Sequence, residues 1–226
     1  MAIKKVTGGR PTREEAEQLS EKIIAVASQL MLEHGYHSTS IEAVASAAGV
    51  AKRTLYSRFP DKRDLFAAVI ERRREQFLAP VSRIFAAGGA IDEQLTLIGR
   101  HMLDWALKGD TVAVKRLIAA EVERFPELAI KLHDDGREQT IDAIAAVLAA
   151  AQSAGVLQVA DVRFAALQFL EMVRGPADTL AHYGQPACVG ARRKQYIDQV
   201  VDLFLNGCRV RATVAVAAQK RRARKA

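Results

Sequence analysis

The chain has 226 residues, half of them hydrophobic but only 6% aromatic, and carries 33 Lys and Arg against 26 Asp and Glu, a formal charge of +7. This is enough chain for one large domain, or for a small domain joined to a larger one. Seven of the basic residues lie in the acid-free stretch 209–226, so the preceding body is neutral and overall basicity is no argument that it binds nucleic acid. Cys188 and Cys208 are too few for a disulfide framework and lack zinc-ligand spacing, which points to reduced structural thiols, with a redox switch between them as the alternative.

The opening MAIKKVTGGR is basic but precedes no apolar run of signal-peptide length, and no later stretch is long enough to span a bilayer. A cytoplasmic protein with no membrane partner is therefore expected. Residues 1–12 read as an unstructured basic arm in which Arg10 is a candidate DNA contact, plain disorder being the other reading. Residues 13–34 form a first amphipathic helix, with Leu19, Ile23, Val26, Ala27 and Leu30 on one face and Glu14, Glu15, Glu17 and Glu21 near its start, where the helix dipole favours anions. Gly35 closes it.

The next stretch, STSIEAVASAAGVAKRTLYSRFPDKRD, reads as helix, tight turn, helix. Thr39 with Glu42 three residues later has the form of a capping box, which starts a helix near Ser40, and Ile41, Val44 and Ala45 supply its buried stripe. Gly49 ends that helix because glycine takes left-handed backbone angles at little cost. A second short helix begins at about Ala51. Ala51, Leu55 and Phe59 stand four apart and are expected to be buried, while Lys52, Arg53, Tyr56 and Ser57 share another face rich in donors. A donor-bearing helix after a tight turn suits entry into the DNA major groove. Pro60 and Asp61 open the following helix, expected to run to Leu78 before Pro80, and Lys62 at its N-terminus suits a phosphate.

The stretch GYHSTSIEAVASAAGVAKRTLYSRFPDKRDLF resembles the DNA-binding domain of TetR-family transcriptional regulators, over residues 10–70. The resemblance implies base contacts from Lys52, Arg53, Thr54, Tyr56 and Ser57, phosphate contacts from Thr39, Ser40 and Lys62, and a helix after Pro60 that links the reading head to a regulatory body. Arg53 stands where the family often has glycine, so either it reads a base itself or the usual close approach is altered.

Beyond Pro80 the pattern is helix after helix: 81–87, 92–108, 110–124, 126–154, 161–183 and 191–208, broken at glycines and at Phe125-Pro126. KRLIAAEVERFPELA is similar to the C-terminal domains of the AefR-type subgroup. Gly175-Pro176 falls inside one of these helices, where proline removes the hydrogen bond to the Met172 carbonyl and predicts a kink, or else a break between two shorter helices. The last helix carries Ile197, Val200, Val201, Phe204 and Leu205, an apolar face wide enough to suggest a homodimer interface.

The chain is thus expected to be all-α: a three-helix helix-turn-helix domain at 1–60, a larger helical effector-binding and dimerisation domain at 61–208, and a basic tail at 209–226. His34, His37, His101, His133 and His182 lack metal-site pairing, and no nucleophile with its base or phosphate-cradling loop stands out, so neither catalysis, cofactor nor metal is expected. The function expected is a ligand-responsive regulator, a repressor released from a palindromic double-stranded DNA operator by a small apolar or amphipathic effector. The alternative is a helical binding module that no longer reads DNA. Met102, Trp105, Leu117, Phe164, Phe169 and Met172 are candidate apolar walls of an effector pocket, with His101, Arg174 and Tyr183 as its polar contacts.

Overall fold

The computed structural model describes residues 12–123, 126–185 and 190–209. Arg10, Cys188 and the tail beyond Arg209 lie outside them. The described residues form helices α1 (Arg13–His34), α2 (Ile41–Ala48), α3 (Lys52–Tyr56), α4 (Lys62–Ala87), α5 (Ile91–Ala106), α6 (Gly109–Glu121), α7 (Pro126–Ser153), α8 (Val162–His182) and α9 (Ala191–Cys208). The one β feature among them is an isolated antiparallel bridge between Leu157 and Arg209. Two compact units divide between Arg73 and Arg74, inside α4 and later than the expected border at residue 60. The first turns of α4 belong to the head because Leu65, Phe66 and Val69 are buried and Phe66 packs on Tyr36 at 5.0 Å between ring centroids.

In the first unit α1 starts at a true capping box: Glu15 N–H donates to Thr12 Oγ1 and Thr12 N–H to the Glu15 carboxylate. The helix buries Ile23, Ala27 and Met31, and packs on α2, which packs on α3. The start of α2 corrects the sequence reading. Ser40, not Thr39, is the N-cap and accepts the Ala43 N–H at 3.0 Å, whereas Thr39 is buried and its hydroxyl donates to the Gly35 carbonyl at 2.8 Å. Gly49 ends α2 at φ 66°, ψ 36°, and its N–H and that of Val50 return to α2 carbonyls, so the chain turns at once into α3. Leu55 and Phe59 are buried as expected, but Ala51 is exposed because it caps α3 rather than sitting inside it.

The second unit also departs from expectation at Pro80, which α4 passes without a break. Pro80 removes the donor for the carbonyl of Gln76, but Gln76 is exposed, so water can serve that carbonyl. The core of this unit gathers Leu95, Ile98, Leu103, Ile144, Leu148, Phe169 and Leu170 with the inner face of α9. Gly99 on α5 lets α9 approach closely: a Cβ there would stand 3.2 Å from Ile197 Cγ2. Ile197, Val200, Val201, Phe204 and Leu205 are therefore covered within their own chain, against α5 and α8, and are not an open dimer face. The large apolar residues that α8 and α9 expose among the described residues are instead Phe164, Leu180 and Leu203, with Tyr183 just after α8.

The kink in α8 is present. Gly175 takes φ 40°, ψ −147°, and the Met172 carbonyl that Pro176 cannot serve accepts the Tyr196 hydroxyl from α9. That bond, with the Phe169–Phe204 ring contact at 5.1 Å, shows α8 and α9 running antiparallel.

Candidate nucleic-acid interface

The α3 helix is only five residues long, and its position depends on what holds its ends. Leu55 anchors it to the core, and just past its C-terminus the Arg58 guanidinium donates to Ala16 O at 2.9 Å and Ser20 Oγ at 2.7 Å on α1. With one side fixed in this way, Lys52, Arg53, Tyr56 and Ser57 face outward, Tyr56 at 42% exposure, while Thr54 is half-buried. The Ser57 hydroxyl donates to Thr54 O at 2.9 Å. The Arg53 guanidinium has no hydrogen-bond or ion-pair partner among the described residues, so its five N–H donors are open to a ligand.

Two expected contacts are engaged in the free protein. The Tyr56 hydroxyl donates to Glu42 Oε1 at 3.1 Å, and Lys52 Nζ lies 4.0 Å from the same oxygen. Glu42 is held below the usual carboxylate range, first by its own backbone N–H, then by the Tyr56 hydroxyl and the Lys52 charge; in return it raises the Tyr56 phenol. This carboxylate was read from sequence as the partner of a Thr39 cap, and its contact across the turn, fourteen residues on, has no local sequence signal. The Arg58 tether was likewise missed.

Ser40 caps α2 through its oxygen and keeps its own O–H proton available, as a phosphate contact requires. Thr39 does not: its buried hydroxyl already gives its proton to Gly35, which removes it from the expected phosphate contacts. Lys62 Nζ donates to His37 O at 2.9 Å and lies 4.5 Å from the Tyr36 ring centroid, so this ammonium braces the loop before α2 with part of its capacity. Asp61 caps α4, accepting the N–H groups of Arg63 and Asp64 at 2.7 and 2.9 Å.

The residues expected around an effector are only partly brought together. His101 Nε2 bonds Phe77 O at 2.8 Å, which requires the proton on that nitrogen, and its ring stacks on Phe77 with Trp105 beside it. Met102 and Phe169 are buried in the core, and Leu117, Met172 and Arg174 are half-buried. Phe164 and Tyr183, exposed by 60% and 74%, stand at the surface and are not walls of an enclosed pocket.

A short donor-bearing helix after a glycine turn, set on a three-helix head and followed by a separate helical body, defines a helix-turn-helix DNA-binding regulator rather than an enzyme. Residues 23–69 match the family model of bacterial regulatory proteins, tetR family, and residues 93–207 match the model of the AefR-like transcriptional repressor C-terminal domain. The chain belongs to the TetR family of transcriptional regulators, whose members bind DNA and act as dimers. It is similar to the flavonoid-responsive regulator FrrA, with 36% identity, 87% of this chain and 100% of that chain covered, and a TM-score of 0.71. A TetR-family regulator from Mesorhizobium loti shares the fold at TM-score 0.79 and 24% identity, over 88% of this chain and 100% of that one. The regulator AcrR of Shigella flexneri is 40% identical over 62 residues, which are 27% of this chain and 29% of AcrR. The repressor BepR of Brucella suis is 37% identical over 65 residues, 29% and 31% of the two chains. The chain thus spans under a third of the length of these curated relatives. No helix among the described residues is long and apolar enough to cross a membrane.

Proposed function

We propose that this regulator is a repressor that binds a palindromic operator as a homodimer and leaves it when a small apolar or amphipathic effector occupies the helical body. The observation that supports DNA reading best is the exposed Arg53 on α3, a planar donor fork with nothing bound to it, on a helix whose opposite side is pinned by Leu55 and Arg58. On this reading Arg53 with Lys52, Thr54, Tyr56 and Ser57 meets base edges, and Ser40 and Lys62 meet phosphates. Two copies related by a two-fold axis place their heads in successive major grooves, about 34–36 Å apart. The interface between copies is then the outer surface of α8 and α9 carrying Phe164, Leu180, Tyr183 and Leu203, since a second copy would cover large apolar side chains that this chain leaves in water.

The effector half of the proposal draws on the body's family and on FrrA, described as flavonoid-responsive, which makes flavonoids the first class to screen. An effector acts only by favouring the DNA-incompetent arrangement: a hundredfold preference corresponds to about 2.7 kcal/mol. The α4 helix, with Lys62 at its start and Phe77 and Val81 in the body's core, is the element through which such a preference would act.

The test is fluorescence anisotropy of the full chain on DNA flanking its own coding sequence, at fixed salt. Binding at least a thousandfold tighter than to random DNA, centred on an inverted repeat, is expected. Equal affinity for flanking and random DNA sinks the reading.

A further inference from the structure

The head carries an acidic side chain within the surface expected to meet DNA. Glu42 lies in the first turn of α2, two residues past the N-cap Ser40, and its side chain is 44% exposed. Its contacts are with the outer face of α3: the Tyr56 hydroxyl at 3.1 Å and Lys52 Nζ at 4.0 Å. Lys52 and Tyr56 are four apart in α3 and so lie on one side of it. The carboxylate thus sits where the end of α2 that bears Ser40 meets the donor-bearing side of α3. Both contacts use Oε1, and Oε2 accepts from no other residue among the described ones. One oxygen fixes the group and the other is open to an incoming donor. The start of α2 favours the ionised form, so at neutral pH Glu42 offers acceptors only.

An ionised carboxylate against DNA is repelled by phosphates whatever the sequence, so it weakens binding to random DNA without return. The offset has to come from a donor on a base. In the major groove guanine and thymine present acceptors at their hydrogen-bonding edges and would repel Oε2. Adenine presents an amino donor with the N7 acceptor beside it. Cytosine presents the N4 amino group with no acceptor of its own alongside, which makes it the base that suits a carboxylate best.

We propose that Glu42 is a specificity-determining residue of the head, its Oε2 accepting from the N4 amino group of a cytosine in the major groove while Tyr56 and Lys52 hold Oε1. The inference rests on the operator-reading proposal above and adds a base to it. Arg53 and Glu42 then read opposite kinds of edge, since a guanidinium fork suits the two acceptors of guanine and a carboxylate suits a donor.

The test is selection of bound duplexes from a pool with a randomised central segment, by the full-length wild type, Glu42→Gln and Glu42→Ala, at one salt concentration. Glutamine keeps an acceptor for the Tyr56 hydroxyl but adds an amide N–H₂, a pairing that suits adenine N6 and N7. The wild type should select a motif with a cytosine column, preferred about tenfold over the other bases in competition binding. In Glu42→Gln that column should turn to adenine or go flat, and in Glu42→Ala it should go flat, with the other columns kept. A role confined to holding Tyr56 predicts the same motif for the wild type and Glu42→Gln. The motif compares bases within one protein, so a variant that is less stable lowers the yield of bound DNA and leaves the pattern of columns readable. A motif with no column that changes in the two variants, or a change in Glu42→Gln spread evenly over the whole motif, overturns the proposal and leaves the operator reading standing. A wild type that selects no motif removes both.

Discussion

Replacing Gly175 and Tyr196, singly and together, tests whether one hydrogen bond holds the break in α8. Pro176 has no N–H to give the Met172 carbonyl, and the Tyr196 hydroxyl takes that place. Tyr196→Phe leaves the carbonyl without this donor and should cost about 1–3 kcal/mol. Gly175→Ala carries two penalties. At φ 40°, ψ −147° a residue with a Cβ is strained by about 1–3 kcal/mol, and that Cβ would overlap Tyr196 Oη and drive the hydroxyl off Met172, losing the same bond by another route. The sum for Gly175→Ala is about 2–6 kcal/mol. In the Tyr196→Phe background the nearest atom to the new methyl is the ring carbon Cζ at 3.6 Å, ordinary contact, so only the backbone strain is added. The double variant should then be no less stable than Gly175→Ala alone, and the two single losses should exceed the double by about 1–3 kcal/mol. Equilibrium urea unfolding followed by Trp105, the chain's one tryptophan and part of the same unit, measures this. Single losses that add to the double within about 0.5 kcal/mol would refute the argument, because independent sites behave that way.

Other expectations concern the head and the assembly. Arg53→Ala should lose about 1–3 kcal/mol on operator DNA and relax the preference at one base position, while Lys62→Ala weakens operator and random DNA alike; competition binding against a base-substituted operator series separates the two. Glu42→Gln should strengthen binding to random DNA more than to operator, narrowing their ratio at fixed salt; an unchanged ratio would show that Glu42 takes no part in discrimination. Asp61→Ala should destabilise the protein by about 1 kcal/mol at neutral pH through loss of the α4 cap. The Asp61 carboxyl lies below its ordinary range, chiefly because it accepts the Asp64 N–H, so its contribution is present above about pH 4 and fades as pH falls through its lowered pKa. Unfolding of the two proteins across pH 2–7 should therefore converge in acid, and a constant gap would discard the capping account. Leu203→Glu and Phe164→Glu should shift sedimentation from dimer toward monomer, whereas a dimer persisting in both at micromolar concentration would place the interface elsewhere.

What sequence could and could not supply follows from the range of the forces involved. The head was legible because its signals are local: glycines at its two positive-φ helix ends, Gly35 and Gly49, apolar residues at helical spacing, and polar caps. Even there, Thr39 and Ser40 are equivalent as capping oxygens, and only tertiary burial of Thr39 on the Gly35 carbonyl decides between them. The α9 stripe shows the limit more sharply. Periodicity states that Ile197, Val201 and Phe204 are covered, but not by what, and α5 with Gly99 does within the chain what a second copy was expected to do. Leu203, the exposed apolar residue of that helix, was invisible to a search for buried faces. Pro80 misled because the rule concerns an unserved carbonyl, and the carbonyl in question belongs to an exposed residue.

The free head also bears on where specificity would reside in the proposed complex. Glu42 holds the Tyr56 hydroxyl and attracts Lys52, so any phosphate or base that engages those two must displace a carboxylate they already have. Exchange of one acceptor for another yields little net energy, and Glu42 itself repels the phosphate backbone. Random DNA, which offers phosphates and no matched base, gains least from this exchange. Arg53 has no such partner to give up, so a guanine presented to it returns the full value of a bidentate contact. The residue that stands where the family often has glycine thus offers a bidentate contact that no lost internal bond among the described residues offsets, and discrimination between operator and bulk DNA should concentrate there rather than on Lys52 or Tyr56.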